Sequence, residues 1–298
     1  MFTISVPASS ANIGPGFDSV GVAVSRYLTL QVTKEKEWQF THATSSIPPV
    51  QHYQDHYIYK VAQQVADWYS CTLPPVHVVM TSEIPLARGL GSSASAIVAG
   101  IELANQLCNL HLTEREKFDY GVKIEGHPDN VAACLLGGFV VTVKMDGEAS
   151  YKKLPAINAD LVVYIPDFEL KTADARKVLP EHFAMKDAAT ASGVSNLMIS
   201  ALLTGDYELA GKMMESDLFH ESYRAKLIPN YFDIRSNARQ LGAYGTVISG
   251  AGPTMISFVP NGAGERIANE MQNMLPDYEV SALEPDEMGL QVKVNINK

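Results

Sequence analysis

Apolar positions recur along this chain at two periods, and the switches between them outline its elements. Residues 20–32 alternate apolar and polar side chains, which predicts a strand. Over 56–69 the apolar residues Ile58, Val61, Ala62, Val65 and Trp68 fall at helical spacing. A strand is expected at 76–81, then a glycine-containing loop, then a helix over 94–108 with Ala94, Ile97, Val98, Ile101, Ala104 and Cys108 on one face. Thr113 and Glu116 have the spacing of a capping box and open a helix that runs toward Glu125. That helix breaks at Gly126-His127-Pro128; a short one follows to Gly137-Gly138, and 139–144 resumes as strand.

Residues 146–158 turn polar, which places a domain boundary there and gives domains over 1–155 and 156–298. The second half reads as strand 161–165, helices 187–203, 207–217 and 231–241, and strands 246–249 and 255–259 joined by Gly250-Ala251-Gly252-Pro253. Helix 264–275 and strands 279–283 and 291–296 complete it. Strands and helices interleave in both halves, so the expected class is α+β, two domains with a cleft between them.

A length of 298 residues, 46% of them hydrophobic, suffices for a substantial core. The formal net charge of −10 argues against nonspecific nucleic-acid binding, which needs a basic surface. An anionic ligand must therefore be held by local dipoles, a metal and a few chosen cations. The N-terminus has no signal-peptide pattern and no apolar run reaches membrane-spanning length, so a soluble cytoplasmic protein is expected. Cys71, Cys108 and Cys134 are an odd number without C-x-x-C spacing, in apolar or small-residue contexts, and read as buried reduced thiols.

The strongest chemical signal is Pro85-Leu86-Ala87-Arg88-Gly89-Leu90-Gly91-Ser92-Ser93-Ala94-Ser95-Ala96. A tight glycine turn feeding a helix aims unpaired N–H groups and the positive end of the helix dipole at one spot, an anion site. Ser92, Ser93 and Ser95 add hydroxyls able to meet phosphate oxygens or a metal, and the stretch reads as a nucleotide triphosphate cradle. It is not a Walker A loop, because no lysine follows Gly91. Gly89, Gly91 and Ala94 formally match a dinucleotide fingerprint, but seven residues separate the preceding strand from Gly89.

Three further segments carry chemistry. Pro7-Ala8-Ser9-Ser10-Ala11-Asn12-Ile13-Gly14-Pro15-Gly16-Phe17-Asp18 holds an amide and a carboxylate on either side of a fixed turn. Glu125-Gly126-His127-Pro128-Asp129-Asn130 crowds polar groups at a helix break, where Pro128 suits a first helical position. Glu125 beside a phosphate-binding serine makes a hard oxygen pair suited to Mg²⁺. Ser249-Gly250-Ala251-Gly252-Pro253-Thr254 reads as a tight turn, and Arg176 and Arg224 are single cations near prolines.

Together these segments resemble the GHMP kinases, whose three motifs occur here in order and at suitable spacing over nearly the whole chain. The first motif and 125–130 are similar to the branch of that family that acts on homoserine. The resemblance implies an N-terminal domain with a left-handed βαβ unit, a ferredoxin-like C-terminal domain, ATP and Mg²⁺, homodimers and a place in threonine biosynthesis. It implies that Ser93 and Glu125 hold Mg²⁺ and that Pro85 to Ser95 wrap the triphosphate. Asn12, Asp18, His127 and Asp129 would surround the hydroxyl and ammonium of L-homoserine, with Arg176 and Arg224 on its carboxylate. Ser249, Gly250, Gly252 and Thr254 would support the phosphate loop. Where many family members place an asparagine near the adenine this chain has His56, and the adenine contacts stay open.

Asn130 stands where some GHMP kinases carry an aspartate base, and an amide cannot take a proton. The γ-phosphate then accepts the hydroxyl proton late while Asn12 and Asn130 orient the nucleophile; Asp18 as a base is the other assignment. A mevalonate- or shikimate-type kinase would leave Asp18 and Asp129 without a matching ammonium. A nonenzymatic nucleotide-binding regulator would have no need of the Ser93–Glu125 pair.

Overall fold

A computed structural model describes residues 1–44 and 50–294 of the chain. Its first sheet contains β1 (Phe2–Asn12), β2 (Gly16–Lys34), β3 (Gln39–His42), β4 (Val76–Ser82), β5 (Phe139–Met145) and β6 (Glu148–Lys153). Against it lie α1 (Tyr57–Trp68), α2 (Ser92–Leu107), α3 (Glu114–Glu125) and α4 (Pro128–Leu136). The second half runs β7 (Ala159–Pro166), α5 (Thr172–Arg176), α6 (Met185–Thr204), α7 (Tyr207–Met214), α8 (Glu221–Arg224) and α9 (Tyr231–Gln240). It ends with β8 (Gly245–Ile248), β9 (Met255–Pro260), α10 (Gly264–Met274), β10 (Tyr278–Leu283) and β11 (Gln291–Val294).

Sheet one follows the order β11-β1-β2-β4-β3, with β5 and β6 branching from β2. β3 and β4 are parallel and α1 connects them, which makes a βαβ unit. The second sheet follows β10-β7-β9-β8 with every neighbouring pair antiparallel. That is the 4-1-3-2 order of a ferredoxin-like βαββαβ layer. The α+β class expected from the pattern is the one observed.

Several features differ from the sequence reading. β3 and β6 were not expected, and no element was assigned before residue 20, yet β1 is an eleven-residue strand. From Val6 onward it is buried on both faces, so no alternation marks it. β11 leaves the second half and pairs with β1 along Phe2↔Val294 to Ser5↔Gln291, so the chain's end returns to the first sheet. Residues 295 and 296, expected as the end of that strand, lie outside the described residues. The reading of three buried thiols is also corrected. Cys71 and Cys108 form a disulfide with a Cα–Cα distance of 6.3 Å, and Cys134 alone is a buried free thiol. Cys71 follows α1 and Cys108 ends α2; packing of those two helices brings together cysteines 37 residues apart, which spacing alone does not reveal.

The capping box at Thr113 forms in both directions: its side chain accepts from the Glu116 N–H, and Glu116 accepts from the Thr113 N–H. This fixes where α3 starts, and its last residue, Glu125, is thereby delivered to the mouth of the phosphate loop.

Candidate active site

The phosphate loop is held open by its glycines. Gly91 is the N-cap of α2 with φ of 68°, and a Cβ there would lie 2.0 Å from Ser9 Oγ. Gly89, with φ of 81°, would drive a Cβ to 2.4 Å from the Ser249 carbonyl. Only residues without side chains fit both the backbone conformation and the space. The first helical bond of α2 runs from the Ser95 N–H to the Gly91 carbonyl, leaving the N–H groups of Ser92, Ser93 and Ala94 without intrahelical acceptors.

The loop rests on the turn between β8 and β9. Ser249 Oγ donates to the Gly89 carbonyl at 2.6 Å and lies 2.8 Å from Ser10 Oγ. Thr254 N–H donates to the Arg88 carbonyl, and Gly250 N–H to the Ala11 carbonyl. Gly252 adds the carbonyl that closes on Gly89. Ser249, Gly250, Gly252 and Thr254 thus underlie the loop. Arg88 points away from it: Nε donates to the Pro166 carbonyl at 3.0 Å, and its guanidinium faces Asp167 and Glu169. The side chain expected near the triphosphate instead clips the loop to β7. Ser95 is likewise turned inward, its Oγ donating to the Pro7 and Gly91 carbonyls, because it stands on the face of α2 packed against β1. Leu90 and Ala94 are buried beside it.

A cavity of about 360 Å³ opens at the seam of the two halves. Its walls include Asn12, Asp18, Ser92, Ser93, Glu125, His127, Asp129, Asn130, Arg176 and Arg224, together with Ala87, Gly89, Gly91, Gly250 and Gly252. The structure therefore brings every expected polar substrate residue to one space. Ser93 Oγ donates to Glu125 Oε2 at 2.7 Å. A hydroxyl and one carboxylate at a phosphate loop are the sparse oxygen set that Mg²⁺ takes alongside water and phosphate. No cluster of three metal-ligating side chains occurs among the described residues.

Asn12 is buried and works both ends of its amide: Nδ2 donates to the Gly250 carbonyl at 2.7 Å, and Oδ1 accepts from the Asp18 N–H. Asn130 accepts from Ser9 Oγ at 2.8 Å. Asp18 and Arg176 form a two-pronged ion pair, with Nη1 to Oδ2 at 3.1 Å and Nη2 to Oδ1 at 2.6 Å. Arg224 is 1% exposed and donates from Nε to the Ala175 carbonyl and from Nη1 to the Gly250 carbonyl. It has no ion pair among the described residues, although it lines the cavity. Burial, and then the nearby Arg176, push its pKa down to about 10. An almost fully buried guanidinium without a carboxylate is costly unless an anion arrives.

Two further shifts complete the electrostatics. Burial raises Asp129 to about 7, and the Asn130 N–H bonded to its carboxylate offsets part of that. Burial, reinforced by Arg176, lowers His127.

A second, mainly apolar cavity of about 440 Å³ shares Ser92 and Ser93 with the first and is walled by Leu28, Met80, Ile84 and His56. His56 stacks on Phe40 with centroids 4.0 Å apart, and its Nε2 lies 3.1 Å from His42 Nε2. Pro85 borders neither cavity, whereas Leu86 lines this one.

Sequence reasoning missed Ser9, Ser10, Phe17 and His220. The serines sit in a strand whose hydroxyls looked like turn chemistry. Phe17 lies between the two guanidiniums, each 5.4 Å from its ring centroid. His220 carries no local motif at all.

The GHMP kinases N terminal domain matches residues 56–138, and the GHMP kinases C terminal matches 198–277. A homoserine kinase of Oceanobacillus iheyensis is 50% identical over 98% of this chain and 99% of its own length. A homoserine kinase of Bacillus velezensis is 46% identical over 99% of this chain and 96% of its own. The crystal structure of homoserine kinase from Cytophaga hutchinsonii superposes with a TM-score of 0.86 at 28% identity, covering 98% of this chain and 97% of that one.

Proposed function

The chain belongs to the homoserine kinase branch of the GHMP kinase family, and from that premise we propose how its residues phosphorylate the side-chain hydroxyl of L-homoserine with ATP. The observation that carries the proposal is the pairing of opposite walls in one cavity. Ser92 and Ser93, at the helix end with free N–H groups, line the same space as Arg224, which has no ion pair among the described residues, and the Asp18–Arg176 pair. One wall suits a polyphosphate and the other a zwitterion.

The triphosphate lies along the loop residues that line the cavity, from Ala87 to Ser93, anchored by backbone N–H groups, with the nucleobase in the apolar cavity beyond Ser92 and Ser93. The homoserine carboxylate meets Arg224 and Arg176, and its ammonium meets Asp18 and Asp129. Binding replaces the Asp18–Arg176 contact with two substrate contacts of the same charge pattern. His127, Asn12 and Asn130 bound the space left for the hydroxyl. Asn12, clamped by Gly250 and the Asp18 N–H, gives that hydroxyl a fixed polar neighbour.

Ser93 and Glu125 would hold Mg²⁺, which supplies charge neutralisation to the transferring phosphoryl group. The protein's own contribution is alignment: the loop fixes the phosphates, the arginines fix the amino acid, and the hydroxyl is left facing the terminal phosphate. No side chain in the cavity is needed as a strong base, since a loose transition state hands the proton over late to phosphate oxygen. The family resemblance extends the proposal to a cytoplasmic homodimer; sedimentation of the purified protein tests the dimer.

A coupled ADP-release assay with homoserine, mevalonate, shikimate, serine and threonine decides the substrate. Homoserine is expected to give the highest kcat/KM; equal turnover of mevalonate would remove the role assigned to Asp18 and Asp129.

A further inference from the structure

His220 lies outside the substrate cavity, 0% exposed, one turn before Arg224. Its Nε2 is 2.9 Å from the Gly14 carbonyl, and its Nδ1 is 3.3 Å from Arg224 Nη1. A carbonyl only accepts, so Nε2 carries the hydrogen; Nδ1 then offers its lone pair to the guanidinium. Both neighbours thus require the same neutral tautomer. Burial favours that form, holding the imidazole at about 4. Asp217, 3.8 Å away, is occupied by the backbone N–H groups of Phe219, His220 and Glu221. The imidazole also faces Phe17 at 5.5 Å, the ring against which both guanidiniums lie.

Gly14 belongs to the turn that presents Asn12 and Asp18, while Arg224 comes from the other half of the molecule. We propose that His220 is a positioning residue that locks Arg224 to the Asn12–Asp18 turn and so sets the distance between the carboxylate and ammonium contacts of the substrate. Arginine has many rotamers, and its contacts to Ala175 and Gly250 fix only Nε and one edge of Nη1. The imidazole adds the contact that ties the guanidinium to the turn carrying Asp18. The inference rests on the reading that Arg224 receives the substrate carboxylate.

The test is steady-state kinetics on His220→Phe, His220→Asn and His220→Gln, each also combined with Arg224→Ala. Phenylalanine keeps the ring beside Phe17 and loses both polar contacts. Asparagine keeps an acceptor near Nδ1, and glutamine keeps a donor near Nε2. His220→Phe is expected to raise the homoserine KM about tenfold while the ATP KM stays within about twofold. His220→Asn and His220→Gln, which each keep one of the two contacts, should each recover only part of that loss, and His220→Phe should add little on top of Arg224→Ala. An equal rise in both KM values, or a full His220→Phe effect without Arg224, overturns the proposal. If His220→Phe does not fold, the comparison passes to His220→Asn and His220→Gln, where a homoserine KM equal to the parent's in either variant would be the contrary result. Failure of the underlying reading looks different: Arg224→Ala alone would then leave the homoserine KM unchanged.

Discussion

Asp129 is a carboxyl group whose charge is set by its burial rather than by its chemistry. It is 2% exposed, and burial lifts it to about 7 from an ordinary value near 3.9. Between about pH 4 and 7 the folded protein keeps a proton there that the unfolded chain has released. Stability from this group is therefore full at the acid end and lost as pH rises through about 7. Asp129→Asn should gain thermal stability relative to the parent as pH goes from 5 to 8, by a few degrees in Tm. Glu221, also raised to about 7 by burial, titrates in both proteins and cancels in the difference. A Tm difference that does not change with pH would show that Asp129 is not the titrating group. Glu125 behaves differently, because its carboxylate meets the Ser93 hydroxyl at the rim of the phosphate loop. Glu125→Gln keeps that hydrogen-bonding shape and removes the charge. The expected outcome is a kcat lowered about 100-fold or more, with a higher Mg²⁺ requirement and little change in the homoserine KM. A normal Mg²⁺ titration would remove the metal role from this pair.

Elements, rather than single side chains, explain why the phosphate loop has its shape. The turn after β8 lies under it so closely that Gly89 has no room for a methyl group beyond the Ser249 carbonyl. Gly89→Ala must therefore separate the two segments and also strain a backbone at positive φ. The ATP KM should rise about tenfold or more and Tm should fall, whereas Gly126→Ala, strained by its own φ of 92° but with nothing within 4 Å of its Cβ position, should lower Tm and leave the ATP KM nearly unchanged. Parity between the two variants in ATP KM would mean that the seat on Ser249 is dispensable. These elements also show what could be read in advance. α1 was legible because burial on one side leaves a period, and α3 because its capping box marks where it starts. The glycine loop was legible because positive φ and close approach demand particular residues. β1 and the inward turn of Ser95 were not, since burial on both faces erases alternation and a serine's direction depends on what packs against its helix. The Arg88 clip to Pro166 and the His220 bridge to Gly14 were illegible for the same cause: both join residues far apart in sequence.

At the scale of the whole molecule, the site is a meeting of distant pieces of chain. Asn12 and Asp18 come from the first hairpin, Asn130 from α4, Arg176 and Arg224 from short helices of the second half, and Ser249 from the turn after β8. β1 runs through the middle of this assembly, paired with β2 along its length, and the further partners of its two ends differ. Residues 2–5 pair with β11, the last strand described, and residues 8–12 are pinned by β2 and by contacts to Asn130, Ser249 and Gly250. The closing strand therefore supports the fold without touching the site. Deleting residues 291–298 should lower Tm by several degrees, because Val292 leaves the core and the β1 edge loses its partner. At low temperature, where the truncated chain is still folded, kcat and both KM values should stay within about twofold, because the catalytic end of β1 keeps its own anchors. Amide exchange would then quicken at residues 3 and 5 and stay slow at 9–11. A truncated enzyme with an unchanged Tm would show that the return of the chain contributes nothing to stability. One that bound homoserine poorly at low temperature would show that the cavity depends on a strand it does not contact.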